Sequence, residues 1–129
     1  MDYTTTFRGY FLLDKPLDAG TTGIINNLRS AGLRKADDNN GNSSTYSVET
    51  TEPSGALHWC YNDKQQCIQW DGDEYFSDYV TWLKYLINQI LSPTYVLNGS
   101  VTYQGDNYGD RGCIIVKNNK VIFKYHDEN

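Results

Sequence analysis

The segment from Ile68 to Ile90, IQWDGDEYFSDYVTWLKYLINQI, constrains the fold more than any other part of the chain. Its second half carries apolar residues at steps of three and four, which place them on one face of a helix. These residues are Phe76, Tyr79, Val80, Leu83, Ile87, Ile90 and Leu91. Asp73 stands where an N-cap is expected, and Pro93 ends the pattern. The segment predicts a short strand, an acidic turn and a long amphipathic helix.

A second, aromatic stripe runs along the same predicted helix. Its members are Tyr75, Tyr79, Trp82, Tyr85 and Leu86. A helix that packs on a sheet needs only one apolar stripe. The second stripe is therefore either covered by the core or the chain's own loop, or left as a surface for a partner.

Composition limits the chain to one domain of 129 residues, with 39% hydrophobic residues and a polar surface. No apolar run approaches the length of about 18 residues that a membrane span requires. The N-terminus lacks the pattern of a secretory signal, so we expect a cytoplasmic protein. The net charge of −5 argues against direct nucleic-acid binding, which needs clustered Lys and Arg. A basic protein partner is compatible with this charge.

The three cysteines are expected to be reduced thiols, because their number is odd and no signal peptide is visible. A turn centred on Asp63 and Lys64 would place Cys60 directly opposite Cys67, where a cross-strand disulfide is the less favoured alternative. The chain has no CxxC pattern, so no zinc site is expected.

Alternating apolar and polar residues predict the strands of the chain. They fall at 7–13, 56–61, 66–70 and 95–104, followed by a hairpin of CIIVK and KVIFKY around Asn118-Asn119. A first helix is predicted from Leu17 or Asp18 to Gly32, with an inner face of Ile24, Ile25 and Leu28.

Finer features of these segments are predicted as well. The polar segment 34–55 is a long loop, with a short strand through TYSVET as an alternative. In the last hairpin, Val116 faces Val121 and Ile114 faces Phe123. Gly99 marks a bulge or a close approach of the helix.

The predicted fold class is α+β, with the element order βα-ββ-α-βββ. The first six elements match a ferredoxin-like βαββαβ pattern, and a C-terminal β-hairpin extends a mainly antiparallel sheet. Two helices on one face of this sheet leave the other face exposed. Tyr10, Leu12, Ile115 and Ile122 are expected on that open face, which is the first candidate for a binding surface.

Tests for known chemical motifs favour structural interpretations. An EF-hand loop beginning at Asp71 needs a glutamate at its twelfth position, where Trp82 stands. His58 and Cys60 share one side of a predicted strand, but no third orienting group is recognisable. The motifs GxxxxGK[ST], GxGxxG and GxSxG are absent. FRGYF echoes an RNA-recognition motif, although the strand and the net charge do not fit that family.

The run IQWDGDEYFSDYVTWLKYLI, followed by YVLNGSVTYQGDNYGDRGCIIVKNNKV, resembles small uncharacterised proteins of bacteriophages, bacteria and large DNA viruses. In these proteins a Trp-Asp-Gly turn enters a Tyr/Trp-rich helix, and a Leu-Asn-Gly strand and a Gln-Gly turn follow. The resemblance covers roughly residues 67–121. It implies a small viral accessory protein that acts in the host cell cytoplasm, and it assigns no catalytic or binding residues.

The leading functional hypothesis is a non-enzymatic inhibitor or adaptor that binds a protein partner. The 11 tyrosines, the acidic charge and the lack of a recognisable active site motivate it. The candidate contacts are Tyr10 on the open sheet face and the stripe of Tyr75, Trp82 and Tyr85. A homodimer through open strand edges is compatible with this hypothesis.

The first alternative is a small-molecule or nucleotide-binding protein, in which Arg8 or Arg111 binds a phosphate. The aromatic residues available to stack on such a ligand are Trp59, Trp70, Tyr10 and Tyr103. A structural, virion-associated protein is a second alternative. An enzyme that uses His58, Cys60 or the acidic turn is the least favoured, and no cofactor, metal or membrane contact is expected.

Overall fold

Six strands and two helices form the described part of the protein. The computed structural model describes residues 3–32 and 52–125. The strands are β1 (Thr5–Leu13), β2 (Trp59–Asn62), β3 (Cys67–Trp70), β4 (Leu97–Gly105), β5 (Arg111–Lys117) and β6 (Lys120–Tyr125). The helices are α1 (Ala19–Ala31) and α2 (Tyr79–Tyr85), and a π-helical segment, Leu86–Leu91, continues α2. The predicted α+β class is confirmed. The predicted strand through TYSVET, most of the predicted polar loop and the tail HDEN lie outside the described residues.

The strands form one open antiparallel sheet in the order β2-β3-β1-β4-β5-β6. The β5–β6 hairpin extends this sheet beyond β4, as the sequence predicts. The six-stranded order is not the four-stranded order of a ferredoxin-like sheet, because β4 is paired on both sides. Within 3–32 and 52–125, no helix combines the length and the apolar character needed to cross a membrane.

One face of the sheet packs against the helices and forms the core. Strand alternation sends every second side chain of β1, β4 and β5 to this inner face. The fully buried residues come from strands, helices and the segments that join them: Phe11, Ile25, Leu57, Trp59, Ile68, Trp82, Leu83, Leu86, Leu91, Leu97 and Ile114. No helix in the described part of the chain packs against the opposite face of the sheet, which we call the open face.

Helix α1 begins and ends within two residues of the predicted bounds. The Asp18 carboxylate accepts a hydrogen bond from the Thr21 N–H (2.7 Å), and the Gly32 N–H donates to the Leu28 carbonyl (2.9 Å). Gly32 has a φ of 71°, which favours glycine at a helix C-terminus. Ile25 is buried as predicted, but Ile24 is 50% exposed and the prediction of an inner-face Ile24 is wrong.

Helix α2 begins five residues later than an N-cap at Asp73 requires, so that prediction is wrong. The Asp73 carboxylate accepts a hydrogen bond from the Tyr75 N–H (2.9 Å), which stabilises a turn at that point. Asp78 occupies the N-cap position of α2, and its carboxylate accepts from the Ser54 N–H (2.8 Å). The end of the helical run before Pro93 is confirmed.

The β2–β3 hairpin is centred one residue later than predicted. Cys60 pairs with Gln69 and Cys67 with Asn62, so the two cysteines are not opposite each other, and both are free thiols. The Asn62 side-chain oxygen accepts from the N–H groups of Lys64 (3.1 Å) and Gln65 (3.3 Å), which fixes this turn. In the last hairpin, the predicted pairs Val116–Val121 and Ile114–Phe123 are confirmed.

Candidate functional site

The open face of the sheet carries a row of polar side chains across four strands. Arg8 on β1 pairs with Thr102 on β4, Thr102 pairs with Cys113 on β5, and Cys113 pairs with Lys124 on β6. Residues paired across antiparallel strands point to the same face. These four side chains, which we call the polar row, therefore have a cation at each end and small side chains between.

A groove of about 550 Å³ lies over the polar row. Its lining is shared by four strands and comprises Thr6, Arg8, Thr102, Tyr103, Gln104, Arg111, Gly112, Cys113, Lys124 and Tyr125. The short side chains of Thr102 and Cys113 leave the middle of the row low, while Arg8, Arg111 and Lys124 are long enough to form walls. The groove therefore presents three cationic side chains around one space.

The β4–β5 turn closes one end of this groove. The Gln104 amide nitrogen donates to the carbonyls of Asn107 and Tyr108, both at 3.2 Å, and so ties β4 to the turn. The Arg111 guanidinium carbon lies 4.7 Å from the centre of the Tyr108 ring, within the range of a cation–π contact. This contact restricts the position of the Arg111 side chain at the mouth of the groove.

Two carboxylates in the same turn are bound by the start of the described chain. The hydroxyl and N–H of Thr4 donate to Asp106 (2.7 and 3.0 Å), and these bonds lower the pKa of that carboxyl. The Tyr3 hydroxyl donates to Asp110 (2.6 Å), and this bond raises the pKa of Tyr3. Uncharged donors therefore hold both carboxylates within the β4–β5 turn.

An apolar row lies beside the polar row on the open face. It consists of Tyr10, Ser100, Ile115 and Ile122, which are paired in sequence across β1, β4, β5 and β6. Tyr10 is 49% exposed and Ile122 is 41% exposed. The predicted exposure of Tyr10, Leu12 and Ile122 on an open face is therefore confirmed. The face as a whole has a cationic band next to an apolar band.

The structure brings together three of the six predicted contact residues. Arg8 and Tyr10 are two residues apart on the same face of β1, and Arg111 shares the groove with Arg8. Lys124, Thr102 and Cys113 complete the groove but are not singled out by the sequence analysis. The predicted pairing of Val116 with Val121 already implies that Cys113 faces Lys124, but only the strand order adds Arg8 to that row.

The other three predicted contact residues do not form a surface. Trp82 is fully buried, and its indole N–H donates to the Ser54 carbonyl (3.1 Å). Tyr85 is half-buried against Trp82, and Tyr75 is 60% exposed but lies outside α2. Trp82 therefore cannot serve as a partner contact. Its burial agrees with the alternative prediction, in which the core or the chain's own loop covers the aromatic stripe.

Most aromatic residues predicted to stack on a ligand belong to the inner face of the sheet. Trp59 is buried and donates to the Tyr79 carbonyl (2.9 Å), and Trp70 donates to the Asp73 carbonyl (2.9 Å). Burial raises the pKa of Tyr103 and also that of Tyr79, the latter to about 12. Within this predicted set, Tyr10 is the aromatic residue placed on the open face.

A second polar cluster surrounds His58 at the other end of the sheet. Asp71 lies 3.0 Å from His58 Nδ1 and 3.3 Å from the Arg29 guanidinium, and Asp73 lies 3.7 Å from His58 Nε2. Burial raises the pKa of the Cys60 thiol, which disfavours the thiolate that a Cys–His pair requires. The cluster links α1 to both strands of the β2–β3 hairpin, so a structural role explains it.

Comparisons of the chain with protein-family models, with curated proteins and with solved structures find no match. The resemblance to small phage, bacterial and viral proteins therefore stays a prediction. Within the residues that the structure describes, no group of three or more His, Cys, Asp or Glu side chains is arranged to hold a metal ion.

Proposed function

We propose that this protein is a binding protein that holds a small anionic ligand in the groove of its open sheet face. The observation that carries the proposal is the convergence of Arg8, Arg111 and Lys124 on one space of about 550 Å³. Small-molecule sites commonly occupy about 300–1,000 Å³. Arginine and lysine form their strongest hydrogen bonds with carboxylates and phosphates, so these are the ligand groups that the groove favours.

The overall charge of the chain supports a local rather than a general role for these cations. The protein has a net charge of −5, so long-range attraction does not draw anions to its whole surface. Three cations gathered in one groove raise the affinity for anions locally, at the groove. Binding is therefore expected to be specific for the groove and to weaken as salt screens the charges.

We also propose that part of the fold has a ferredoxin-like arrangement. The first four strands and two helices form a ferredoxin-like unit, since α1 connects strands separated by β3 and α2 connects strands separated by β1. The β5–β6 hairpin is then an addition to this unit. That hairpin supplies five of the ten residues that line the groove: Arg111, Gly112, Cys113, Lys124 and Tyr125.

The test is calorimetric titration of pyrophosphate and citrate into the protein and into the variants Arg8→Ala and Lys124→Ala. Each substitution removes one charge-assisted hydrogen bond and is expected to weaken binding roughly tenfold or more. Lys84→Ala is the matched control, because Lys84 is exposed on α2 and the open face has no helix. Absence of binding, or equal losses in all three variants, would overturn the proposal.

A protein partner is the second candidate function, as an inhibitor or adaptor would require. Two observations favour it: the exposed apolar row, and the position of β6 at the end of the sheet, where no described strand pairs with its outer edge. A partner bound there would depend on Leu12 and Ile122. This candidate would be favoured if the protein captures a partner whose binding persists as the salt concentration rises. The binding should be lost in the variants Leu12→Ser and Ile122→Ser.

A further inference from the structure

We propose that the ligand of the groove is a nucleoside di- or triphosphate, with its phosphates over the polar row and its base stacked on Tyr10. This inference rests on the proposed function, since it assigns the chemistry of the ligand bound in the same groove. It depends on how the polar row and the apolar row lie next to each other on the open face.

The spacing of the two rows fits the two parts of a nucleotide. Tyr10 and Arg8 lie two residues apart on the same face of β1, a distance of about 6.6 Å along the strand. A ribose spans a comparable distance between a base and its 5′-phosphate. A phosphate bound by Arg8 therefore leaves the base over the neighbouring row, where Tyr10 is 49% exposed.

The surroundings of Tyr10 suit a flat ring better than a flexible apolar chain. Ser100 faces Tyr10 from β4 and is exposed, so a small side chain lies beside the tyrosine ring. Ile115 continues the row on β5. The surface formed by Tyr10, Ser100 and Ile115 contacts a ligand from one side. Contact from one side is sufficient for stacking of a base on an aromatic ring. An aliphatic chain would need an enclosing pocket to bury its surface to the same extent.

The length of the polar row favours more than one phosphate. Arg8 and Lys124 are three strand spacings apart, or about 14 Å between their Cα atoms, and both residues line the groove. Thr102 and Cys113 form the low floor between them. Phosphates lying across this floor would meet Arg8 first and Lys124 or Arg111 next, so a single phosphate would leave part of the cationic lining unused.

A polynucleotide fits the molecule less well than a free nucleotide. Binding of a long strand would need basic residues beyond the groove, and the chain has 16 acidic against 11 basic residues. Within the apolar row, Tyr10 is a single aromatic ring rather than one of a series of rings. The proposal is accordingly limited to a free nucleotide.

The experiment compares ADP with pyrophosphate, which differ by the adenosine that Tyr10 would bind. Calorimetric titrations at one salt concentration use the unaltered protein and the variants Tyr10→Ala and Tyr10→Phe. Stacking of one base is expected to make ADP bind roughly five- to 150-fold more tightly than pyrophosphate. Tyr10→Ala should remove this advantage and leave pyrophosphate binding unchanged, whereas Tyr10→Phe should retain it. Tyr75→Ala, at an exposed tyrosine outside the face, is the matched control.

The outcomes separate this inference from the proposed function. If ADP and pyrophosphate bind equally, or if Tyr10→Ala keeps the advantage of ADP, the nucleotide inference fails and the anion-binding function stands. Tighter binding of an oligonucleotide than of ADP also overturns the inference. If neither ADP nor pyrophosphate binds, both proposals fail.

Discussion

At the scale of single residues, two glycines determine how closely β1 and β4 approach each other. Gly99 has a φ of +150°, and a Cβ added there would lie 2.6 Å from the Tyr10 carbonyl oxygen. Gly9 has a φ of +111°, and its Cβ would lie 2.6 Å from the Ser100 carbonyl oxygen. The sequence predicts a bulge or a close approach of the helix at Gly99. The structure shows a close approach instead to the backbone of the neighbouring strand.

Replacement of Gly99 by alanine is expected to destabilise the protein by about 1–3 kcal/mol, because the new methyl group meets backbone atoms that cannot rotate away. Urea unfolding measures the change. Gly109→Ala is the matched control, since nothing lies within 4 Å of its added Cβ, and its effect should stay within about 0.5 kcal/mol. Equal stability of the two variants would contradict the close approach of the strands.

At the scale of elements, hydrogen bonds at the ends decide where the helices begin. Helix α1 follows its sequence signals because Asp18 caps it directly. Helix α2 does not begin after Asp73, as the sequence signals predict. The Asp73 carboxylate accepts a hydrogen bond from the Tyr75 N–H in its own turn, and the Asp78 carboxylate accepts one from the Ser54 N–H. A periodic apolar pattern therefore predicts that a helix exists more securely than it predicts its first residue.

The cap of α1 leads to a prediction for stability as a function of pH. The hydrogen bond from the Thr21 N–H lowers the pKa of Asp18 below its unfolded value. The ionised cap therefore stabilises the fold above the unfolded pKa, and this contribution is lost as the pH falls through the folded pKa. Asp18→Ala should be less stable at neutral pH, and the difference should shrink as the pH falls below the ordinary aspartate pKa of about 3.9.

Urea unfolding at neutral and acidic pH measures this effect. Asp18→Asn is the matched control, because asparagine keeps an acceptor for the Thr21 N–H but does not titrate. Its stability should change less with pH than that of the unaltered protein. An Asp18→Ala deficit that stays constant down to acidic pH would show that the carboxylate charge does not contribute to the cap.

In the molecule as a whole, the two faces of the sheet differ in burial and in the side chains that they carry. The inner face and the helices form the core, whereas the open face carries the polar and apolar rows. Substitutions on the open face should therefore change binding without large effects on folding. This separation allows the ligand proposals to be tested with variants that stay folded.

Ile114 and Ile115 test this division, because they are neighbours on β5 that face opposite sides. Ile114 is fully buried on the inner face, so Ile114→Ala is expected to destabilise the protein by about 2–5 kcal/mol. Ile115 lies on the open face and is only partly covered, so Ile115→Ala should have less than half that effect. Thermal and urea unfolding of the two variants give the comparison, and similar losses would mean that the open face is covered.

Much of the fold is predictable from local pattern, and the candidate site is predictable only in part. Strand alternation in β1 places Arg8 and Tyr10 on one face, and the β5–β6 turn places Cys113 opposite Lys124. These relations need only neighbouring residues or a single hairpin. The convergence of Arg8 with Lys124 depends on the pairing of β1 with β4 and of β4 with β5, which no local pattern contains.

Local pattern was enough to predict the α+β class, the bounds of α1 to within two residues and the pairing of the last hairpin, because periodicity, caps and tight turns act over a few residues. Tertiary contacts determine that Trp82 is buried and donates a hydrogen bond to Ser54, that Cys60 and Cys67 are out of register, and that the cations line one groove. Each of these outcomes depends on contacts between distant segments. Their free energies compete with local preferences and prevail only once the whole sheet has formed.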